Sequence, residues 1–448
     1  MTKIIHRTPI HTPPTAIRGE GVYVYDENNR QYLDACGGAA VSCLGYNHPA
    51  PVEAIRKQAA ELAYIHSEFF TSFTAESLAE KLTDLAPAPL DHVVFLSGGS
   101  EAVETAFKLA RQYFVETGET SRKFLISRRQ SFHGNTLGAL SIGSHVGRRK
   151  PYLPMLNSDH HTIAPCFPYR EQRENESTHE YGIRVANELE EKILELGADN
   201  VIGFVAETVG GATAGVLPPV PGYLKRIREI CDQYGILLIL DEVMCGSGRT
   251  GTFFSFTQDD IVPDMVILAK GLGAGYQPIA ATIVSQPIYQ AVHGGSGALM
   301  QSHTYMGHAI ACAASLAVVN TIESENLLEN VRIQGKNLIA KLRSELGSHS
   351  NVGDIRGRGL FIGIEFVSDK TSKEPLDPNF LFHSVLKRNA ERDGLMCYTG
   401  GGSIDGVRGN HVMLAPAFII NEAIVDEIVE KMSQSIDDSM AEITAAAA

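Results

Sequence analysis

Between residues 68 and 325 the chain alternates short apolar runs with helical stretches. The runs are HVVFLS, KFLISR, VIGFVAE, ILLILDEV, MVILAK and AATIVS. Stretches such as TAESLAEKLTDLA and GYLKRIREICDQYG lie among them, with apolar residues at helical spacing. Strand and helix alternating over this length restrict the chain to an α/β domain built on a mostly parallel sheet. The near-continuous apolar runs fit strands buried on both faces. Residues 1–67 instead carry GVYVYDENNRQYLDA, which reads as a hairpin turning at Asn-Asn. Residues 326–448 hold NVGDIRGRGLFIGIEFV, a helix near 380–392, a glycine-rich loop and HVMLAPAFI. This is a smaller α+β unit, against which the N-terminal segment is expected to pack. The terminal TAAAA reads as frayed.

Composition removes several classes of function. The 448 residues are 44% apolar, enough for a large core and two domains. Fifty-two acids against 38 bases give a net charge of −14, a poor surface for nucleic acid. No apolar run approaches the ~18–20 residues that cross a bilayer. The start, MTKIIHRTPIHTPP, lacks a signal-peptide core. Seven irregularly spaced cysteines read as reduced thiols in a cytoplasmic protein, and no metal-ligand pattern appears.

In open sheets of this kind, ligands sit outside the carboxyl ends of the strands. Four such ends are unusual. After HVVFL comes Ser97-Gly98-Gly99-Ser100 and then a helix, a place where free backbone N–H groups can hold an anion. After KFLISR a loop carries Phe132-His133-Gly134, with a ring face to offer a flat ligand. The run ILLIL delivers Asp241 and Glu242, of which only one can face a given site. The run MVILA delivers Lys270 into glycine-rich chain. A lysine desolvated there has its pKa pulled down and becomes an amine nucleophile. Each has a plainer reading when taken alone: a capped helix, a half-buried aromatic, an ion pair of the carboxylate with Arg249, a surface lysine. Together they match pyridoxal phosphate, which has a phosphate, a flat ring, a pyridine nitrogen and an aldehyde. The segment Gly246–Gly251 matches GxGxxG, but it neither follows its strand directly nor opens a clear helix, so a nicotinamide site is disfavoured.

The motifs SGGSEAVETAFKLAR, SFHG, LILDEVMCGSGRTG, ILAKGLGAGYQP and HTYMGH resemble, in order and spacing, the class III aminotransferases of fold type I. The likeness runs from about residue 21 to about 430. It implies that Lys270 forms the Schiff base and later shuttles the proton, and that Asp241 keeps the ring nitrogen protonated. It implies that Val243 and Phe132 flank the ring, with His133 beside them, and that Gly99 and Ser100 bind the phosphate. It makes Glu207 a neighbour of the cofactor, although Thr208 stands where the family usually has proline. It gives Thr304 the phosphate of a neighbouring subunit, hence a homodimer with interfacial sites, a tetramer being the alternative. Members resembling ornithine and γ-aminobutyrate transaminases carry a gating glutamate near the place of Ala212. Those resembling ornithine transaminase have an arginine at the place of Met413. Both are lost here, which moves the likeness toward ω-amino acid and amine:pyruvate transaminases. In that branch a loop arginine binds the carboxylate, and Arg408 is the candidate. Ala40 lies near a pocket position where amine transaminases often have tryptophan, and Phe70 is assigned to the same substrate pocket. CGGAAVSCLG and SGGSEA also look like the diaminobutyrate aminotransferase of ectoine breakdown. The expected reaction is transfer of an amino group from an amine, ω-amino acid or diamino acid to pyruvate or 2-oxoglutarate. The alternative is decarboxylase, racemase or aminomutase chemistry on the same fold.

Overall fold

The computed structural model describes residues 3–8, 10 and 12–447. Its strands are β1 (Ala16–Glu20), β2 (Tyr23–Asp26), β3 (Gln31–Asp34), β4 (Leu90–Leu96), β5 (Phe124–Arg128), β6 (His160–Ile163), β7 (Val201–Glu207) and β8 (Leu237–Asp241). They continue with β9 (Met265–Leu268), β10 (Ala280–Ser285), β11 (Val352–Arg358), β12 (Phe361–Phe366), β13 (Leu395–Met396), β14 (Tyr398–Gly401) and β15 (Asn410–Leu414). The central sheet has seven strands in the order β4-β10-β9-β8-β7-β5-β6. β10 runs antiparallel to both its neighbours, and the other pairs are parallel. This is the mostly parallel sheet that the alternating pattern predicts, with one antiparallel strand set into it.

Every residue of β7, β8, β9 and β10 is buried. The pleat sends alternate side chains to opposite faces. Leu238 and Leu240 join one core cluster with the helices Thr178–Leu196 and Tyr223–Tyr234. Ile239 and Ile267 join the other, under the helix Gly99–Glu116, which contributes Val103, Ala106, Phe107 and Ala110. Helix boundaries follow local chemistry. Ser177 accepts from Glu180 N at 3.2 Å while Glu180 accepts from Ser177 N at 2.8 Å, a reciprocal cap that starts the helix Thr178–Leu196.

The N-terminal hairpin turns where expected. Asp26 Oδ1 accepts from the backbone of Asn28 and Arg30, both at 2.9 Å, and Asn29 adopts a φ of +59°. β3 then pairs in parallel with β13, so residues near the two chain ends share one sheet. The third sheet, β11-β12-β15-β14, packs with the helices Leu327–Leu346 and Phe382–Arg392 around a separate core. The end of the chain departs from expectation, because the helix Glu422–Ala447 runs through the alanines. Alanine has the highest intrinsic helix propensity, so a terminal alanine run extends a helix already docked on the core. No helix among the described residues is long and apolar enough to cross a membrane.

Tight strand contact makes one testable demand. A Cβ on Gly203 of β7 would lie 2.4 Å from the Leu237 carbonyl oxygen on β8. Gly203→Ala is expected to destabilise the protein by ~1–3 kcal/mol, the usual cost of overpacking. A thermal melt that matches the parent would show that the sheet can yield there.

Candidate active site

β4, β8 and β9 end at one edge of the sheet, and residues at or just past their ends line a common cavity of about 470 Å³. Its walls include Ser97, Gly99, Ser100, Phe132, Glu207, Asp241, Val243 and Lys270. Eight of the nine residues expected to meet the cofactor come together here: His133 and the seven Gly99, Ser100, Phe132, Glu207, Asp241, Val243 and Lys270. Thr304 does not line this cavity, and its carbonyl accepts from the Tyr64 hydroxyl at 2.9 Å.

Asp241 and Glu242 separate as strand alternation requires. Asp241 faces the cavity, with Oδ2 2.8 Å from His133 Nδ1 and Oδ1 accepting from Val243 N at 3.0 Å. Glu242 turns the other way and accepts from Thr208 Oγ1, Ser255 N and Phe256 N at 2.8, 2.7 and 2.8 Å. Thr208 therefore anchors the strand behind the site. Burial pushes Glu242 up to about 7. Arg249 is not the partner of Asp241. It is fully buried and donates to the carbonyls of Leu360 and Pro416. The glycines around it, Gly248 and Gly251, both take a φ of +97° in a buried turn that opens no helix. That is no dinucleotide cradle.

Lys270 is half-buried in the cavity wall, and its φ of +49° is the left-handed region, which costs a non-glycine residue ~1–3 kcal/mol. Desolvation brings its amine down to about 8, while the carboxylates of Asp241 and Glu207 act against that fall. Glu207 is itself pushed up by burial, and accepts from Phe132 N and Gly211 N at 3.3 and 3.2 Å. The amine thus stands among buried acceptors with no hydrogen-bonded partner of its own among the described residues.

The fit to pyridoxal phosphate can be tested on these residues. The helix Gly99–Glu116 begins at Gly98 with no side-chain cap, leaving its first N–H groups for an anion. Ser100 Oγ accepts from Asn135 N at 3.0 Å and holds the SFHG loop against that helix. At Gly134, a Cβ would lie 2.5 Å from Ser100 Oγ, so a side chain there would fill the cradle. The second ring nitrogen of His133, Nε2, is buried with no hydrogen-bond partner among the described residues. Phosphate site, flat walls, carboxylate and amine are all present, so the residues fit the group.

Three residues assigned to the substrate lie outside this cavity. Ala40 is buried in an apolar cluster with Val209, Met244 and Met413. Val41 lines the cavity in its place. Phe70 is 66% exposed, away from the cavity walls. Arg408 pairs with Asp405, Nε to Oδ2 at 2.7 Å, on an exposed loop. Sequence reading missed Ser97, Met244, Gln277, Pro278 and Ile279 as wall residues. Ser97, Met244, Gln277 and Pro278 lie within the quoted motifs and Ile279 directly follows one, so nearness along the chain was the available signal.

A lysine and a carboxylate at neighbouring strand ends, beside an open helix N-terminus, define a pyridoxal-phosphate-dependent transferase of fold type I. Residues 6–436 match the class-III aminotransferase family. The chain belongs to that family. It is 43% identical to an uncharacterized aminotransferase of Schizosaccharomyces pombe, over 98% of this chain and 95% of that one. It is 34% identical to the taurine–pyruvate aminotransferase of Bilophila wadsworthia, over 93% and 91%. The ω-transaminase of Pseudomonas jessenii in complex with PMP superposes with a TM-score of 0.90 at 32% identity, covering 96% of this chain and 94% of that one. The protein is a pyridoxal-phosphate-dependent aminotransferase.

Two outcomes follow from the site. Asp241→Asn is expected to lower kcat ~10²–10³-fold, the scale for losing one preorganised electrostatic contact. Unchanged turnover in a steady-state assay would remove Asp241 from the chemistry. Only the neutral amine of Lys270 attacks an aldehyde. Capture of pyridoxal phosphate by apoprotein should therefore accelerate with pH and level off above about 8, well below the ordinary 10.5. In Asp241→Asn that midpoint should fall, because a charge favouring the ammonium is gone. Stopped-flow absorbance would follow both, and a rate still climbing near the ordinary lysine pKa would contradict the buried-amine account.

Proposed function

We propose that this aminotransferase moves an amino group from a primary amine or ω-amino acid to an α-keto acid, with pyruvate the preferred acceptor, and that it works as a homodimer. One observation carries the substrate class. Ala212 and Met413, the places of the gating glutamate and of an arginine in other branches, pack into the same apolar cluster. A carboxylate–arginine gate is replaced there by hydrocarbon. The similarity to a taurine–pyruvate aminotransferase agrees with a donor whose anionic group is remote from its amine, and with pyruvate as acceptor.

When bound, pyridoxal phosphate supplies an electron sink conjugated to the donor carbon. The chain's own residues do the rest in this reading. The Lys270 amine takes the proton from the donor carbon and returns it nearby, as general base and then acid. Asp241, fixed in orientation by His133, offers its carboxylate to the ring nitrogen. Val243 and Phe132 bound the flat space. Gly99 and Ser100 hold the phosphate at the helix N-terminus, and Glu207 keeps the floor polar beside Phe132.

The dimer reading rests on exposed apolar surface. Phe69, Phe70, Phe73 and Tyr305 are 74%, 66%, 95% and 58% exposed. Tyr64 stacks edge-on against Tyr305 at 5.6 Å, joining the segment before Phe73 to the loop holding Thr304. A monomer rarely leaves such a patch uncovered. A second copy would bury it and bring Thr304 and Phe70 to the partner's cavity.

A panel of amines, ω-amino acids and diamino acids, each with pyruvate and with 2-oxoglutarate, tests the reaction by mass spectrometry. Alanine formation from pyruvate is expected. Release of carbon dioxide or inversion of a donor without amino transfer would assign the other chemistries of the fold. Lys270→Ala should lose at least ~10²–10⁴-fold in rate, the scale of a positioned acid–base group. Phe73→Asp should shift the mass measured by light scattering from two chains to one, and an unshifted parent mass of one chain would end the dimer proposal.

A further inference from the structure

The buried turn at residues 246–251 touches two concavities. At one end, a Cβ on Gly271, next to Lys270, would lie 3.3 Å from Ser247 Cβ. At the other, Thr250 enters the wall of a groove of about 480 Å³ that shares no wall residue with the active-site cavity. The helix Leu327–Leu346 forms one side of this groove, and the turn between β11 and β12 forms another. Its floor carries almost no side chain. Gly335 of the helix meets the turn so closely that a Cβ there would collide with the Gly359 carbonyl oxygen, and Gly359 itself takes a φ of +59°.

The walls are cationic. Arg332, Lys336, Arg343 and Arg358 line the groove, and no acidic residue does. In a chain with a net charge of −14 that runs against the general balance. Residues 332, 336 and 343 recur at helical spacing and so project from one face of their helix. Two of the four charges are answered. Arg332 Nε meets Glu329 Oε2 at 2.8 Å, and Arg358 Nη1 meets Asp259 Oδ2 at 2.7 Å. The other two are not. Arg343 gives Nη2 and Nε to the Ile355 carbonyl at 2.9 and 3.3 Å, which orients the guanidinium without neutralising it. Lys336 has no ion pair and no hydrogen bond among the described residues. On a convex helix face such cations are solvated one by one. Here the glycine floor lets them converge on one space.

We propose that this groove binds a small molecule bearing a diphosphate, held by Lys336 and Arg343 with Arg332 and Arg358 at the rim. A guanidinium offers phosphate oxygens two parallel hydrogen bonds, and an ammonium offers a mobile point charge. Lys336 and Arg343 are separated by ~10 Å along the helix axis, and a diphosphate bridges more of that span than a single phosphate. The volume lies within the ~300–1,000 Å³ of small-ligand sites. A long polyanion such as nucleic acid would meet the acidic remainder of the surface. The site stands apart from the amine:pyruvate reading. Its occupant would clamp the helix, the β11–β12 turn and the buried turn behind Lys270 together, along a seam where Arg332 Nη1 already donates to the Gly251 carbonyl at 2.6 Å.

The test uses borohydride-treated holoenzyme, in which the cofactor stays fixed and its phosphate position stays filled. Titration calorimetry at low ionic strength should show saturable binding of pyrophosphate, at least ~3-fold tighter than inorganic phosphate. Lys336→Gln and Arg343→Gln should each weaken pyrophosphate ~3–10-fold, between the scale of an exposed ion pair and that of a charge-assisted hydrogen bond. Ala340→Glu, at an exposed helical position in the groove wall, should abolish binding. Lys341→Gln removes a charge from the same helix where it pairs with Glu422 and Asp426, and should leave the affinity within ~2-fold. ADP as tight as pyrophosphate would define a site for the diphosphate alone, and tighter ADP a nucleotide site. The proposal is overturned if the parent shows no saturable binding, if inorganic phosphate binds as tightly as pyrophosphate, or if Lys341→Gln costs as much as Lys336→Gln.

Discussion

An amine held out of water beside two carboxylates is the constraint around which this molecule is arranged. Lys270 lies two residues past a fully buried strand, in a backbone conformation that lysine does not favour. Desolvation alone would keep it neutral, and the nearby charges of Asp241 and Glu207 oppose that. The balance brings the amine near neutrality, where it can both attack an aldehyde and carry a proton. The strain at its φ angle and the burial of charge are stabilised elsewhere, by the two hydrophobic layers that clamp the central sheet. A site of this kind needs a large core because it contributes little to stability itself.

His133 is the second element on which the site depends. Its 2.8 Å contact with Asp241 ties the SFHG loop to the end of β8, and so fixes the Phe132 wall relative to the carboxylate. The same loop is pinned to the helix Gly99–Glu116 through Asn135 and Ser100. Loop, helix and two strand ends form one hydrogen-bonded unit around the cavity. Behind it, Glu242 and Thr208 hold the strand from the opposite face. The threonine that departs from the family's usual proline thus has a task of its own. It supplies a hydroxyl donor to a buried carboxylate that would otherwise lack it.

The fold and the catalytic core were legible in the sequence because both are written at short range. An uninterrupted apolar run announces a buried strand, and the polar residue that ends it must lie at the sheet's edge. Strand alternation foretold that Asp241 and Glu242 would part company. The substrate side was far less legible. Ala40 looked like pocket floor and is packed behind it, because positive φ angles at Gly37, Gly38 and Ala40 turn the chain so that Val41 takes the wall. Arg408 looked available until Asp405, three residues before it, was seen to hold it.

By itself the sequence determined the parallel sheet, the order of the chemical groups along its edge and the cofactor those groups suit. Periodicity and residue type are local properties, and they survive being read in one dimension. Only the tertiary structure decided which partner each charged group has. Asp241 takes His133 rather than Arg249, Glu242 takes Thr208, and Arg408 takes Asp405. Pairing depends on distances of a few ångströms between segments far apart along the chain, and it is pairing that separates a structural charge from one left free to bind a substrate.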